Sequence, residues 1–315
     1  MPRAFIIRLS SLGDVVLSTG AIEALKRNDW EIGFLTKPQY SPLLFEDKRV
    51  TTLFEYSSMK DTLDDLKAFS PDWIIDLQVN FRTVLLASLA KIPTIRTEKH
   101  TLKRRLITKF NKGERSPHSV VDDFLSTLEK IGVRTQEVLP KLNPTTSGVD
   151  KAKKIIPTRR PIAAIHPDAR YQFKNWGCDN FIKLANLLVK NGFSVVFIGD
   201  GDDTDNIKWS GAISLQELVG ILSLVDLFVG NDSGPTHIAA SLETPTIAIF
   251  GPTHPALGFV PRGKFTDFVY SELDCSPCTL HGRGECKFKI KKCFNSILPK
   301  NVLEKALNLF EKSKS

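Results

Sequence analysis

Short apolar and β-branched runs alternate along this chain with stretches whose apolar residues recur every three or four positions. The alternation stops once, near the middle, and then restarts. Few folds satisfy that pattern, because strand–helix alternation builds parallel sheets covered by helices on both faces. The spacing predicts strands over residues 4–9, 32–35, 50–56 and 73–77, and helices over 14–27, 81–90 and 119–131. Residues 134–160 are rich in Pro, Thr, Lys and Asn and read as a linker with at most one short helix. Beyond it, strands over 162–166, 194–198, 227–229 and 246–250 alternate with helices over 179–190, 215–223 and 234–242. The expected fold class is α/β, with two doubly wound domains at residues 1–150 and 151–315 and a last helix, 300–313, that could pack back on the first. A length of 315 residues, about twice that of a usual domain, agrees. Sheets of this kind bind ligands at the carboxyl ends of their strands, so a cleft between the domains is the expected site.

Composition closes off several alternatives. With 42% hydrophobic and 25% charged residues the chain is balanced like a soluble globular protein, not a disordered one. No run approaches the ~18 apolar residues of a membrane span. The apolar stretch before Arg8 is too short for a signal peptide, so a soluble, cytoplasmic protein is expected. Lys and Arg number 43 against 35 Asp and Glu, a net +8, which suggests an anionic partner: nucleic acid, a membrane surface or a phosphorylated substrate. Nucleic acid is the least favoured, since no cysteine–histidine finger, basic zipper or aromatic RNA-binding motif is present.

The strand ends carry polar motifs. Ser10-Ser11-Leu12-Gly13-Asp14 follows the first strand, and Gly13 permits a tight turn there. Asp14 reads either as a helix cap or as a carboxylate facing the cleft, available as a general base and favoured in its ionised form by the helix start. Gly230-Asn231-Asp232-Ser233-Gly234-Pro235-Thr236-His237 follows a strand of the second domain. Pro235 falls in the first helical turn, where its missing N–H is harmless. The free amides of that turn suit a diphosphate, with His237 beside them; the plainer alternative is a well-capped helix. Ser233 is one place out of a serine-hydrolase elbow. His166-Pro167-Asp168-Ala169-Arg170 and Lys174-Asn175-Trp176 follow another strand. Lys174 is a point charge suited to phosphate, or a surface lysine beside a packed tryptophan. Gly199-Asp200-Gly201 lacks the ligand order of a calcium loop, but it follows a strand and could line the cleft.

Two further stretches stand apart. Arg96, Lys99, Lys103, Arg104, Arg105, Lys109, Lys112 and Arg115 face only Glu98 and Glu114, and Leu102, Leu106 and Phe110 recur at four-residue spacing. Such a helix either lies on an anionic membrane and its phosphorylated lipids or packs on the core. Cys275, Cys278, Cys286 and Cys293 could form a tetrahedral structural zinc site, or could be free thiols packing a C-terminal loop. Cys178 is expected to be a small buried hydrophobe.

In order along the chain, RLSSLGDVVLSTGAIEALK, DLQVNFRTVLLASLA, HPDARYQFKNW, VGNDSGPTHIAASLETPTIAIFGPT and the tail CSPC…C…C together resemble glycosyltransferase family 9, the ADP-heptose:lipopolysaccharide heptosyltransferases, over nearly the whole chain. The tail is similar to that of the family's second inner-core heptosyltransferase. The resemblance implies a GT-B fold: two Rossmann-like domains facing across a cleft, the N-terminal one for the acceptor and the C-terminal one for the nucleotide sugar. It implies inverting transfer of a heptose from ADP-heptose to the inner core of lipopolysaccharide, without a catalytic metal. On that basis Asp14 takes the base position, and Ser10, Ser11 and Gly13 line the acceptor and sugar side. Lys174 holds the diphosphate, and Asp168, Ala169, Asp200, Asp232, Ser233, Gly234, Pro235, Thr236 and His237 line the donor. Lys103, Arg104 and Arg105 would meet the phosphorylated lipid at the anionic inner face of the inner membrane, where the protein would sit peripherally. The chain departs from the family twice. Asp168 stands where the family has Gly, and only residues 200–211 separate the strand at 194–198 from the next helix, where the family fits an extra helix and strand. The shorter segment leaves room for another nucleotide sugar or acceptor, or for a non-catalytic nucleotide-binding derivative of the fold.

Overall fold

The computed structural model describes residues 1–110, 115–288 and 290–314. Two compact units emerge: Met1–Lys99 with Val120–Asn143, and His100–Ser119 with Pro144–Ser315. Each is built on one parallel sheet. In the first, β1 (Arg3–Ile7), β2 (Glu31–Thr36), β3 (Thr52–Glu55), β4 (Trp73–Asp76) and β5 (Thr94–Arg96) lie in the order β3-β2-β1-β4-β5. Central β1 pairs Phe5 with Gly33 on one side and with Ile74 on the other, and Ala4, Phe5, Ile6 and Ile7 are fully buried. Burial on both faces is why those residues form an unbroken apolar run and do not alternate. In the second unit, β6 (Ile162–His166), β7 (Ser194–Phe197), β8 (Ile207–Trp209), β9 (Leu227–Asn231), β10 (Thr246–Ile249) and β11 (Thr266–Val269) take the order β11-β10-β9-β6-β7-β8. Strand order reverses between β1 and β4 and between β6 and β9, and the carboxyl ends flanking such a switch point are where doubly wound sheets take ligands.

Several boundaries differ from expectation. The single helix expected at 14–27 is two, Leu12–Leu17 and Thr19–Arg27. At the junction the Ser18 and Thr19 hydroxyls donate back to the carbonyls of Val15 and Val16, each at 2.7 Å, in competition with the helical ladder. The linker stretch holds a ten-residue helix, Thr146–Ile155, whose Thr145 cap accepts the Gly148 N–H at 3.1 Å. That helix packs on Leu215–Leu224 so closely that a Cβ at Gly220 would lie 2.3 Å from the Gly148 carbonyl oxygen. Two glycines thus make an integral part of the second unit from what composition marks as a connector. In the last helix, Pro299–Lys314, Val302, Ala306 and Phe310 are buried in the core of the second unit. The short segment after β7 also differs from expectation, because it does supply a strand. Edge strand β8 follows directly on turns, with Trp209 stacked on Phe197 at 4.3 Å between ring centroids. No helix among the described residues is long and apolar enough to cross a membrane.

Candidate functional site

In the first unit the polar cluster forms where β1 and β4 end. Asp14 occupies the third position of its helix, and one carboxylate oxygen accepts both the Ser11 N–H (3.0 Å) and the Ser11 hydroxyl (2.7 Å). The other oxygen lies 2.6 Å from Arg8 Nη2. Arg8 also donates to the Leu77 carbonyl and stacks over Phe124, 5.6 Å from the ring centroid. Burial pushes the Asp14 carboxyl up, but the Arg8 guanidinium and the two Ser11 donors together hold it below the usual carboxylate value. Capping contacts and an ionised carboxylate therefore coincide in one residue. The neighbouring turn is tied in by Gln78, whose side-chain carbonyl accepts the N–H groups of Leu9 and Ser10, both at 3.0 Å. Buried Asp76 in turn accepts from the N–H groups of Gln78 (3.0 Å) and Val79 (2.8 Å) and from the Thr83 hydroxyl (2.8 Å). Val79 has φ 45°, a left-handed conformation costly for a β-branched residue, and the Asp76 bonds hold it there.

In the second unit the segments following β6 and β9 meet. Lys174 reaches across to Asp232, with Nζ 2.6 Å from Oδ2, and both side chains are largely buried. The same carboxylate oxygen accepts the Thr253 hydroxyl at 2.9 Å. Asn231, the last residue of β9, donates to the carbonyls of Pro167 (2.8 Å) and Asp168 (3.3 Å) and accepts the Trp176 N–H (3.0 Å), which pins both ends of the Lys174 loop. The Thr236 hydroxyl donates to the Asn231 carbonyl at 2.6 Å. Helix Gly234–Ser241 begins beside the Lys174–Asp232 pair. A serine at a helix start ordinarily accepts an amide of the first turn. Ser233 does not: its hydroxyl is buried without a hydrogen-bond partner, beside the open amides of the helix start. His237 is buried in the first turn. Burial pushes the His166 imidazole down to about 4 despite the opposing pull of Asp168, so it is neutral at physiological pH. Asp168 and Asp200 are exposed where β6 and β7 end, and Ala169 is half-buried next to Asp168. This arrangement can do what a diphosphate site requires, with one cation, one free hydroxyl and helix amides in one place.

Other expected residues fall elsewhere. Lys103, Arg104 and Arg105 lie on helix Thr101–Phe110, which belongs to the second unit, whereas the sequence placed them with the first. The cause is Ile107, fully buried against Ala256 and Leu257, with the Arg104 guanidinium 5.5 Å from the Phe259 ring centroid. Leu102, Leu106 and Phe110 remain outside that contact, 72%, 40% and 62% exposed. Lys112 and Glu114 of the basic stretch lie outside the described residues. Cys275, Cys278, Cys286 and Cys293 line one cavity together with Phe173, Pro252 and Phe288. Their thiols are free, and no three of the four sulfurs come within 4.8 Å of one another. Burial and the neighbouring cysteines push the Cys293 thiol up to about 11. Cys178, expected to be buried, is exposed at the start of helix Cys178–Lys190. Arg8, Gln78, Asn231 and Thr253 lie within the motifs quoted from the sequence, but none of them is assigned a role there. Arg8 and Asn231 did leave a signal, since each is a polar residue set at the end of an otherwise apolar strand.

The sequence profile of glycosyltransferase family 9 (heptosyltransferase) matches residues 61–288. Lipopolysaccharide heptosyltransferase 3 of Escherichia coli (strain K12) is 26% identical to the chain over 275 residues, covering 76% of this chain and 80% of its own length. Lipooligosaccharide heptosyltransferase 2 of Campylobacter jejuni is 24% identical over 99% of each chain. Among solved structures, the E. coli ADP-heptose lipopolysaccharide heptosyltransferase II matches with a TM-score of 0.76 at 20% identity, over 99% of this chain and 100% of that one. The likeness is one of fold: two parallel sheets with alternating helices, of the GT-B type.

Proposed function

Because the chain belongs to glycosyltransferase family 9 and is a glycosyltransferase, we propose that it moves a heptose from ADP-heptose to the inner core of lipopolysaccharide with inversion, most like a heptosyltransferase II. The observation that carries this is the Lys174–Asp232 pair beside an unpartnered, buried Ser233 hydroxyl at a helix start. An acceptor hydroxyl attacks the anomeric carbon as the nucleoside diphosphate leaves. Asp14 takes the proton late, once bond formation has made that oxygen acidic. Ser10, Ser11 and Gly13 shape the acceptor side. Negative charge growing on the diphosphate is met by Lys174, by Ser233 and by the amides of Gly234 and Thr236; Pro235 has none to offer. His237, Asp168, Ala169 and Asp200 line the sugar and nucleoside. The expected result is ADP release only when acceptor is supplied; equal release without acceptor rejects transfer. The short segment between β7 and the helix Leu215–Leu224 favours a second reading, a different nucleotide sugar. Thermal shifts with ADP-, UDP- and GDP-sugars separate the two. ADP-heptose should raise Tm most, and a larger shift with another nucleotide would reassign the donor.

The exposed Leu102, Leu106 and Phe110 flanked by Lys103, Arg105 and Lys109 support contact with the phosphorylated lipid surface on which such an acceptor resides. Liposomes containing anionic lipid should carry the wild-type protein on flotation and leave behind a variant with Lys103, Arg104 and Arg105 changed to Glu. Equal flotation of both rejects this contact.

The four cysteines, spread over residues 275–293, share one cavity but do not stand at ligand distance, so no catalytic step is assigned to a metal there. A structural zinc would draw the sulfurs together and displace thiol protons. Metal analysis of protein purified without chelator decides: about one zinc per chain supports a structural site, and less than about a tenth of an equivalent leaves the thiols as packing groups.

A further inference from the structure

The segment that carries the cysteines turns back over the loop that carries Lys174. Lys291 Nζ donates to the carbonyls of Gln172 (2.9 Å) and Asn175 (3.2 Å), one on each side of Lys174. Gly282 lies against the lysine's aliphatic stem: a Cβ there would come within 2.2 Å of Lys174 Cγ and 2.3 Å of Cδ. Its φ of +83° is also one that only glycine adopts readily. Arg283 Nε donates to the Tyr171 hydroxyl at 3.1 Å, and its guanidinium carbon sits 5.5 Å from that ring's centroid. Residues 171–175 are thus gripped from one side at three points, while the ammonium of Lys174 is held from the other by Asp232.

We propose that Gly282, Arg283 and Lys291 form a positioning clamp for Lys174, with Lys291 and Gly282 as its positioning residues. The proposal rests on the assignment of Lys174 to the donor diphosphate. A lysine stem carries several freely rotating bonds, which a ligand must freeze each time it binds. Here the stem is already walled by Gly282, and the backbone on both sides of it is tied to one ammonium. A cation ordered before the donor arrives binds more tightly than one ordered by the donor. Lys291 touches carbonyl oxygens and not substrate, so its effect reaches the donor only through Lys174.

The test uses the full chain and four variants: Lys291→Met, Lys291→Arg, Gly282→Ala and Lys174→Ala. Titration calorimetry with ADP and steady-state kinetics are run on each, with Tm recorded alongside. Lys291→Met and Gly282→Ala should each weaken ADP binding and raise the donor KM about tenfold, while the acceptor KM stays within about twofold. Lys291→Arg, which can still donate to both carbonyls, should restore most of the loss. If Lys174→Ala loses ADP but Lys291→Met and Gly282→Ala bind it like the wild type, the clamp is wrong and the donor assignment stands. Donor and acceptor KM worsening together with a falling Tm, without rescue by Arg, would make the loop merely structural and also overturn the clamp. If Lys174→Ala itself binds ADP as tightly as the wild type, the donor assignment falls, and the clamp with it.

Discussion

Asp14→Asn is expected to slow transfer by about 10²–10⁴-fold while ADP binds within a few-fold of the wild type. The amide keeps the shape of the carboxylate. Its carbonyl can still accept from Ser11 or Arg8, so the turn after β1 should survive. What the amide cannot do is take a proton. The proposed donor residues around Lys174 and Asp232 belong to the second unit and are untouched, so binding and chemistry should separate. Single-turnover rates beside an ADP titration measure both, and a rate within twofold of wild type would remove Asp14 from the base position. If Asp14 is the base, as proposed, Arg8 sets the pH at which it works. With Arg8 present the carboxyl lies below its ordinary value, so it stays ionised until the pH falls beneath the usual carboxylate range of ~4. Arg8→Met leaves burial as the dominant influence, and burial raises the carboxyl. The acid limb of the pH–rate profile should therefore move to higher pH. The stability contribution has the same sign: it is present above the unfolded-state value and is lost as pH falls through the lower folded-state one.

Much of this arrangement was legible in the sequence because it is local. The central strands of both sheets are buried on both faces, and the motifs that end them, Ser10 to Asp14 and Asp232 to His237, sit at the turns their own residues dictate. Long-range features were not. Asn231 meets Trp176 across 55 positions and Lys291 meets Gln172 across 119, and nothing in the spacing of either segment announces the other. The basic helix shows the same limit from a different side. Its four-residue periodicity is correctly helical, yet which unit it joins is decided by Ile107 finding Ala256 and Leu257. Composition likewise marked residues 134–160 as a linker, and the close approach of Gly148 and Gly220 made a packed helix of part of it. Edge strands β5 and β8 span three residues each, too short for a period of two to register.

Lys174→Ala should lose both donor binding and rate, the latter by about 10²–10³-fold, because it removes the cation proposed to meet the leaving diphosphate. It also does a second thing. Asp232, with 4% of its side chain exposed, is left as a buried carboxylate whose only remaining side-chain bond among the described residues is the one from Thr253. Removing one member of a buried pair costs about 3–5 kcal/mol of stability, and the uncovered anion would then face the proposed place of the diphosphate. The single variant therefore mixes lost attraction with new repulsion. Adding Asp232→Asn separates them: the Lys174→Ala/Asp232→Asn protein should regain much of the Tm and part of the ADP affinity, because the buried charge is gone. It should not regain the rate, because no cation has returned to stabilise the charge that grows as the sugar bond breaks. Calorimetry with ADP and single-turnover transfer on the three proteins decide the matter. ADP binding to Lys174→Ala at wild-type strength would take Lys174 out of the donor site. Recovery of the rate in the double variant would mean that the Asp232 charge, and not the missing ammonium, had been holding the reaction back.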